Sequence, residues 1–284
     1  MNNDEGYSIK RFNLDKDLYK DNGWFIIVTG KSRSGKGVYS ANLIEKMIRK
    51  KMLHVKNAYL FSSSALVQKD SFPMIKTNRH TTYDDDYVNK IIEDNANIIK
   101  KLIDKGVSKE EAIRRNGILF VIDDLAGGEI HRSSSLLRLA TAGRHVGFNV
   151  ILLSQSLAAS VNPRVRKNAS IIVAYPSISH KVMRILCEEF GIMSLGSFSA
   201  KEARDFLMNL WKHKPYTCLV ILQHKTDVRQ FQDMIRFDRV ETDIKKTTKY
   251  LTKHTLDNKK YTIPKENENE TKSIFRSKKI ASIY

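Results

Sequence analysis

Short apolar runs alternate with amphipathic stretches along most of this chain. The runs are rich in β-branched and aromatic residues, which predicts strands buried on both faces of a sheet. They lie at Trp24–Thr29, Ala58–Ser62, Ile118–Asp124, Phe148–Ser154, Ala169–Tyr175 and Tyr216–Gln223. Between them, apolar residues recur at about 3.6-residue spacing, as in helices that pack one face on a sheet. The pattern therefore predicts an α/β fold with a mainly parallel central sheet.

The clearest amphipathic helix outside that core spans Tyr83–Lys105, and Asn95 interrupts its apolar stripe. We expect the stripe to pack on the chain's own sheet, with a neighbouring subunit as the alternative. Three adjacent acids begin the helix, and we expect them to cap it rather than to bind a metal. Gly106 is predicted to end it, and a capping box at Ser108–Glu111 opens a shorter helix. The three acids are Asp84, Asp85 and Asp86.

The remaining segments are assigned from the same pattern. Helices are predicted at Ser133–Ala142, Ser179–Phe190 and Ser199–Trp211. Residues 63–82 are predicted to form a loop, and Pro163–Lys167 a basic turn. The segment 225–239 is short and mixes polar and apolar residues, so no regular element is assigned to it.

A glycine-rich loop follows the first predicted strand and has the spacing G-x-x-x-x-G-K of a phosphate-binding loop. Gly30 and Gly35 permit backbone angles that a Cβ would disfavour, so that successive N–H groups can surround a polyphosphate. The next helix adds the partial positive charge of its N-terminus, and Lys36 is expected to reach the β- and γ-phosphates. The predicted nucleotide-binding residues are Gly30, Lys31, Ser32, Arg33, Ser34, Gly35, Lys36 and Gly37.

One position departs from the usual form of this loop. The residue after the lysine is normally Ser or Thr, whose hydroxyl ligates Mg²⁺, and here it is Gly37. Ser40, one helical turn further on, or a water molecule are the two candidates to replace that ligand. The departure weakens the predicted metal site and leaves phosphate binding intact.

Polar residues also end two later strands. Asp123 and Asp124 end the strand that begins at Ile118, and Gln155 follows the strand that ends at Ser154. Downstream of a phosphate loop, Asp123 is predicted to hold Mg²⁺ through a water, and Asp124 to orient and polarise the attacking water. Gln155 is placed to report the state of the γ-phosphate. Arg144 precedes the strand on a turn, where it either faces a neighbouring molecule or is an ordinary surface arginine.

The charge of the chain narrows the range of partners. Its 284 residues contain 49 Lys and Arg against 31 Asp and Glu, a formal net charge of +18. Such a field favours a polyanionic partner, most simply nucleic acid. A generally lysine-rich composition is the alternative explanation.

Cysteine use and hydropathy indicate where the chain acts. Cys187 and Cys218 lie in apolar surroundings, as expected in a reducing compartment, and a single disulfide between them is the alternative. No secretory signal pattern opens the sequence, and the apolar runs are far shorter than the ~20 residues of a membrane helix. We therefore expect an intracellular protein without a membrane span.

Taken together, the motifs resemble those of the FtsK–HerA superfamily of DNA-translocating ATPases, and within it the poxvirus-type genome-packaging ATPases of large DNA viruses and virophages. The resemblance covers about Trp24 to Gln223. It rests on GKSRSGKG (30–37), ILFVIDDL (118–125), AGRHVGFNVILLSQ (142–155) and NPRVRKNASIIVAY (162–175). The third of these is the most specific, because it places an arginine, a glycine, a buried strand and a terminal glutamine in fixed order.

The resemblance implies a role for each of these residues. Lys36 would bind phosphate, Asp123 would serve Mg²⁺, and Asp124 stands where many members have a catalytic glutamate. Gln155 would sense the γ-phosphate, and Arg144 matches an arginine that is inserted into the next subunit's active site. The resemblance also implies a RecA-like core in which the glutamine strand lies between the loop strand and the acidic strand. Gly37 and the short acid Asp124 depart from the pattern and point to slow hydrolysis.

The predicted organisation is an N-terminal extension (1–22), a P-loop ATPase domain (23–240) with a helical insertion at about 83–116, and a mobile basic tail (241–284). The predicted function is ATP-driven translocation of double-stranded DNA into a viral capsid by a homo-oligomeric ring, either a pentamer or a hexamer. ATP and Mg²⁺ are the implied cofactors, and a capsid or portal-vertex protein is an implied partner. The expected location is the host cytoplasm at the site of virion assembly. Association with the finished virion is a further possibility that the resemblance leaves open.

Two alternatives remain open at this point. The first is a DNA pump of the conjugation or chromosome-segregation type, although the additional domains usual in such pumps are missing here. The second is a binding protein in which ATP only switches a DNA- or capsid-binding surface, with little turnover. Gly37 favours the second alternative.

Overall fold

A computed structural model of the chain describes residues 9–18, 23–67, 72–123, 125, 128–177, 179–190, 192–193, 199–212, 216–225, 228 and 231–239. The catalytic residue predicted at Asp124 and the tail predicted at 241–284 lie outside the described residues.

A mixed sheet forms the centre of the described residues. Its eight strands lie side by side in the order β3-β2-β4-β5-β1-β6-β7-β8. Neighbouring strands pair in parallel from β3 to β6, whereas β7 is antiparallel to both β6 and β8. The strands are β1 (Phe25–Thr29), β2 (Asn57–Ser62), β3 (Arg79–His80), β4 (Ile118–Asp123), β5 (Phe148–Ser154), β6 (Ile171–Ala174), β7 (Thr217–Leu222) and β8 (Ile235–Arg239).

Helices cover both faces of this sheet. They are α1 (Leu14–Asp17), α2 (Lys36–Arg49), α3 (Asp85–Asp104), α4 (Lys109–Arg115), α5 (Gly128–Arg132), α6 (Ser134–Ala142), α7 (Pro163–Asn168), α8 (His180–Arg184), α9 (Ala200–Lys212) and α10 (Phe231–Met234). A 3₁₀ turn, Gly143–Val146, follows α6, and a π-helical turn, Ile185–Glu189, continues α8.

The strand order places β5 between β1 and β4. This is the arrangement that the family resemblance implied, with the glutamine strand between the loop strand and the acidic strand. The α/β prediction with a mainly parallel, RecA-like core is therefore confirmed.

Two apolar cores lie on opposite faces of the sheet, because successive side chains of a strand point to opposite sides. In β1, Phe25 and Ile27 belong to one core, whereas Ile26 and Val28 belong to the other. Helices α3, α6 and α9 cover the first face, and α2 covers the second. These strand residues are almost completely buried, which explains why their runs are apolar without alternation.

The predicted caps of α3 and α4 are confirmed. The Asp84 side chain accepts a hydrogen bond from Tyr87 N at the start of α3, and Ser108 accepts one from Glu111 N at the start of α4. Gly106 follows α3 with a φ of +85°, in the left-handed region that favours glycine. The stripe of α3 packs on the chain's own sheet through buried residues such as Val88.

Three segments differ from their predicted structure. The predicted loop at 63–82 contains β3, whose two residues are too few to show a pattern. The turn predicted at Pro163–Lys167 is wrong, because this segment is the helix α7, with Asn162 as its N-cap and Pro163 in its first turn. Residues 225–239 contain α10 and β8.

The described part of the N-terminal segment lies against β8. Phe12 N donates to the carbonyl of Phe237 at 2.8 Å, and Phe237 N donates to the carbonyl of Lys10 at 3.1 Å. The buried Asp17 accepts from Arg236 Nε at 3.0 Å. Residues 9–18 therefore both extend the sheet by a bridge and clamp its last strand.

Both cysteines are free and buried. Cys187 belongs to the first core and Cys218 to the second, so the sheet separates them and no disulfide joins them. Burial raises the pKa of both thiols, which keeps them unreactive. Among the described helices, none combines the length and the apolar character needed to cross a bilayer.

Candidate nucleotide-binding site

Three neighbouring strands bring the phosphate loop, Asp123 and Gln155 to one end of the sheet, the end at which the parallel strands terminate. Asp123 at the end of β4 is level with Leu153 of β5, and Thr29 at the end of β1 is level with Ser154. Gly30 N donates to the carbonyl of Ser154 at 3.1 Å. Because adjacent strands lie ~4.8 Å apart, the backbones of Asp123 and Thr29 are separated by about 10 Å, with β5 between them.

The phosphate loop starts in a tight contact with Tyr175, the residue that follows β6. A Cβ on Gly30 would lie 2.6 Å from the Cβ of Tyr175 and 2.8 Å from Ser34 Oγ, which is closer than real Cβ atoms approach. Glycine is therefore required at position 30 by packing. Within the loop, Ser34 N donates to the carbonyl of Lys31 at 3.2 Å and closes the turn.

Two loop residues have left-handed backbone conformations. Gly35 has a φ of 93°, which glycine adopts without cost, and Arg33 has a φ of 62°, which is uncommon for a residue with a Cβ. Such strained residues persist where the surrounding structure holds them, and they cluster at ligand-binding sites. The side chains of Lys31, Ser32 and Arg33 are exposed around the loop.

Helix α2 begins at Lys36 with its N-terminal amide groups directed at the loop. Its N-cap is Gly35, and no side chain of the described residues caps it. The first N–H groups of a helix lack intrahelical partners, so this terminus can bind a phosphate group. Lys36 itself is buried, with an exposed fraction of 8%. The loop therefore has the left-handed glycine predicted at position 35, whereas the prediction for Gly30 is wrong: its φ is not left-handed, and packing rather than backbone conformation requires glycine there.

The position of the missing metal-ligating hydroxyl is sterically open. Among the described residues, no heavy atom lies within 4 Å of a Cβ placed on Gly37. Ser40 is completely buried, and its Oγ finds no hydrogen-bond partner among the described residues. The hydroxyl of Ser40 is thus enclosed by the core, whereas the space at Gly37 can hold a water molecule. Of the two predicted replacements for the missing ligand, the water fits this geometry better.

Gln155 follows β5, the strand beside the loop strand β1, and Asp123 ends β4, one strand further away. Asp123 is half-buried at the end of β4, where its carboxylate is a hard oxygen ligand of the kind that Mg²⁺ prefers. Gln155 is exposed and lines a cavity of about 150 Å³ together with Ile122, Leu125 and Ser160. The described residues contain no cluster of three or more metal-ligating side chains.

Arg144 lies at the opposite end of the sheet. It belongs to the 3₁₀ turn before β5, and a Cβ on Gly23, just before β1, would lie 2.6 Å from the Cβ of Arg144. The seven residue-to-residue steps from Gly23 to Gly30 span on the order of 20 Å in extended conformation. This exceeds the length of an arginine side chain, so Arg144 cannot reach the phosphate loop of its own chain.

The Arg144 side chain is exposed, and its Nε donates to His145 Nε2 at 3.2 Å. Gly23 was not identified from the sequence, although a glycine directly before a buried strand is a recognisable signal of close backbone approach. The structure thus brings together the phosphate loop, Asp123 and Gln155, and it separates Arg144 from them.

A buried arginine supports the segment after Gln155. Arg166 Nη1 donates to the carbonyls of Leu157 at 3.1 Å and of Val161 at 2.6 Å. Its Nε and Nη2 form a two-point pair with Glu189 at 3.1 and 2.7 Å, and the Arg166 side chain is only 4% exposed. Arg166 is therefore fully engaged within its own chain and holds the loop that follows Gln155.

Comparison with known proteins gives one family and several solved structures to which parts of the chain are similar. The genome packaging NTPase B204 from Sulfolobus turreted icosahedral virus 2, in complex with AMPPCP, is 16% identical at a TM-score of 0.49, covering 78% of this chain and 98% of that chain. The pCW3 conjugation coupling protein TcpA is 17% identical at a TM-score of 0.48, covering 85% of this chain and 73% of that chain. EssC (ATPases 2 and 3) from Geobacillus thermodenitrificans is 14% identical at a TM-score of 0.49, covering 96% and 51% respectively.

No curated protein matches the sequence. The family described as poxvirus A32 protein, by contrast, matches residues 9–199, which is more than half of the chain and includes the phosphate loop, β4, β5 and Arg144. The match confirms the family predicted from the motifs: this chain belongs to the poxvirus A32 protein family.

Proposed function

We propose that this chain is the ATPase subunit of a viral genome-packaging motor, which hydrolyses ATP to move double-stranded DNA into a capsid. Membership of the poxvirus A32 family supports this assignment. The observation that carries the chemistry is the placement of the phosphate loop, Asp123 and Gln155 on three neighbouring strands, with Arg144 at the far end of the same sheet.

In this proposal, the nucleotide-binding residues act in the ground state. The N–H groups of the loop and of the first turn of α2 bind the β- and γ-phosphates, and Lys36 adds a positive charge. Mg²⁺, when bound, neutralises charge between the two phosphates. Asp123 is the residue that would hold it through a water, and the open space beside Gly37 leaves room for another water.

Other residues act on the reaction itself. Asp124 follows Asp123 in the chain and is proposed to accept the proton of the attacking water. Gln155, between the loop and Asp123, is proposed to contact the γ-phosphate and to transmit the loss of that phosphate to the segment held by Arg166. Arg144 is proposed to stabilise the transition-state charge in the site of a neighbouring copy, because it cannot reach its own site.

The partners follow from this mechanism and from the charge. Hydrolysis at a site shared between copies requires a homo-oligomer, for which a ring of five or six subunits is the proposed form. A net charge of +18 suits a motor that grips the DNA backbone without regard to sequence. A capsid or portal-vertex protein would anchor the ring. The proposed place of action is the host cytoplasm where virions assemble. We propose in addition that the protein is retained in the virion.

One observation favours a second function, in which ATP acts only as a switch. Gly37 removes the hydroxyl that normally ligates Mg²⁺, which would slow hydrolysis and leave binding unaffected. A chain of this kind would change its affinity for DNA or capsid on binding ATP, with little turnover.

Turnover measurements separate the two functions. ATP hydrolysis by the purified full-length protein is measured with and without duplex DNA, over a salt series, with Lys36→Ala as the blank. A motor gives DNA-stimulated turnover, and its DNA affinity falls steeply with salt. DNA binding that requires ATP without turnover above the blank would favour the switch. DNA affinity that is flat between low and physiological salt would remove the support that charge gives to packaging.

A further inference from the structure

The 3₁₀ turn Gly143–Val146, here called the Arg144 turn, is attached to helix α3 at its end. The side-chain amide of Asn95 in α3 donates to the carbonyl of Val146 at 2.7 Å, and the same nitrogen donates to the carbonyl of Asn116 at 3.1 Å. One buried side chain thus joins α3, the end of α4 and the Arg144 turn.

Asn95 occupies a position where the helix would otherwise present an apolar residue. It lies in the stripe between Ile92 and Ile99, both buried, and is itself only 5% exposed. A buried amide is costly unless it is hydrogen-bonded, and here both donor hydrogens have acceptors. The interruption of the stripe is therefore explained by the two carbonyls that Asn95 binds.

The same region is packed too closely for the Arg144 turn to shift freely. A Cβ on Gly147, which has a φ of +78°, would lie 3.3 Å from the carbonyl oxygens of Ile113 and Asn116. Gly147 also accepts a hydrogen bond from Ile118 N at 2.9 Å. The backbone immediately after the Arg144 turn therefore lies against α4 and the start of β4.

A second contact holds the helix that leads into the Arg144 turn. Asp85, in the first turn of α3, accepts hydrogen bonds from Ser133 Oγ at 2.6 Å and from the backbone N of Ser134 at 3.2 Å and Ser135 at 3.3 Å. Asp85 therefore caps α6 from outside that helix. Helix α3 grips the segment 133–146 at its beginning through Asp85 and at its end through Asn95, with Arg144 between the two contacts.

We propose that Asn95 is a positioning residue for Arg144. Through Asn95, α3 holds the backbone of the Arg144 turn in the position from which the arginine enters the site of a neighbouring copy. This inference rests on the proposed role of Arg144 in trans. It assigns a function to the α3–α4 segment. A displacement of α3 in one subunit would change hydrolysis in the neighbouring subunit and would leave the first subunit's own nucleotide site intact.

The test uses Asn95→Leu, with Asn97→Leu as the matched control, because Asn97 lies on the exposed face of the same helix. Since small misplacements of a catalytic group cost roughly 10- to 100-fold in rate, Asn95→Leu should lower kcat by that amount and leave the affinity for an ATP analogue unchanged. Asn97→Leu should match the wild type in both. Asn95→Ser retains one donor and serves if the leucine variant is unstable, with a smaller loss of the same kind.

A fused pair of subunits gives a readout that a merely structural role would not change. One half carries Lys36→Ala and donates the arginine, while the other carries Arg144→Ala and supplies the nucleotide pocket. Asn95→Leu should reduce hydrolysis when placed in the arginine-donating half and have no effect in the pocket half. Equal losses in both halves, or no loss in either, would overturn the inference.

Two further measurements separate this inference from the proposed function. If Asn95 acts through Arg144, Asn95→Leu should add little to the loss caused by Arg144→Ala when both changes are made in the same, otherwise wild-type, unfused chain. Full additivity would overturn the positioning role while leaving the trans arginine in place. If Arg144→Ala leaves hydrolysis unchanged, the trans role itself fails. Hydrogen exchange at residues 143–148, faster in Asn95→Leu than in Asn97→Leu, checks the physical attachment without any reference to activity.

Discussion

Lys36 and Arg144 lie at opposite ends of the same sheet, the first just beyond the carboxyl end of β1 and the second beside Gly23 at its amino end. The strand between them holds the two residues on the order of 20 Å apart. A single subunit therefore cannot combine its phosphate loop with its own Arg144, and the predictions below follow from this separation and from the contacts around it.

The first prediction concerns Arg144 itself. Arg144→Ala should fold and bind ATP normally, but hydrolyse it about 10³-fold more slowly or worse, because an arginine supplied in trans acts on transition-state charge. Hydrolysis should return in part in the fused pair with Lys36→Ala in one half and Arg144→Ala in the other. Absence of activity in both fusion orders, with assembly verified, would exclude Arg144 as the trans arginine.

A second prediction distinguishes binding from turnover at the nucleotide site. Lys36→Ala should abolish binding of a fluorescent ATP analogue, because Lys36 supplies charge to the phosphates in the ground state. Asp124→Asn should bind the analogue with wild-type affinity and lose turnover, since its carboxylate acts only on the attacking water. Unchanged hydrolysis by Asp124→Asn would remove that residue from the catalytic site.

The third prediction uses the open space at Gly37. Gly37→Ser should fit without displacing neighbours and should increase turnover at limiting Mg²⁺, because it restores a hydroxyl at the usual position of the metal ligand. Gly37→Ala is the control, and it should raise stability by ~0.5–1 kcal/mol through helix propensity without altering the Mg²⁺ dependence. Identical Mg²⁺ titrations for the serine and alanine variants would show that position 37 does not face the metal.

The fourth prediction compares two arginines of α7. Arg166→Ala should lower the free energy of unfolding by about 2–5 kcal/mol, because it leaves the buried carbonyls of Leu157 and Val161 without their donor. Arg164 is exposed on the same helix, so Arg164→Ala should change stability by no more than ~0.5 kcal/mol. Urea denaturation of the two variants makes the comparison, and similar midpoints would mean that the Arg166 contacts contribute little.

The fifth prediction concerns pH and Asp85. Partial burial alone would raise the pKa of Asp85, but hydrogen bonds from Ser133, Ser135 and the backbone of α6 outweigh it and hold the pKa below its ordinary value. The ionised carboxylate therefore stabilises α6 at pH values above the unfolded pKa of about 3.9, and this contribution is lost as the pH falls through the lower folded value.

Asp85→Asn should accordingly flatten the dependence of the unfolding midpoint on pH between about 2 and 5. Asp86→Asn serves as the control, because Asp86 is an exposed residue in the same helical turn. If Asp85→Asn and the wild type lose stability in parallel over this range, the carboxylate of Asp85 does not cap α6.

Much of the fold could be predicted because its central strands are buried on both faces and therefore appear as uninterrupted apolar runs. The strand order was available only through the family resemblance, since periodicity does not indicate which strands are neighbours. β3 escaped prediction because two residues carry no pattern, and β8 because Arg236 and Asp238 interrupt its apolar positions. Helix α7 did leave a signal in Asn162 and Pro163, the N-cap and first-turn residues of the helix.

The candidate site likewise has features that the sequence predicts and features that it does not. The phosphate loop was predictable because its glycines and lysine are contiguous, so that local geometry determines their function. The tasks of Arg166 and Asn95 were not predictable, because their partners lie far away in the chain: Glu189 is 23 residues from Arg166, and Val146 is 51 residues from Asn95. For Asn95 the sequence signal was a polar residue that interrupts an apolar stripe, whereas Arg166 lies in a basic segment that gave no such signal.

With Arg144 acting in trans as proposed, the sheet that separates it from Lys36 would also determine when ATP can be hydrolysed. A newly made, isolated subunit would hold ATP in a pocket that lacks its arginine and would hydrolyse almost none of it. Each subunit that joins the proposed ring would complete its neighbour's pocket and leave its own to be completed by the next. ATP hydrolysis would then begin only when the ring assembles, at the capsid vertex through which DNA is packaged.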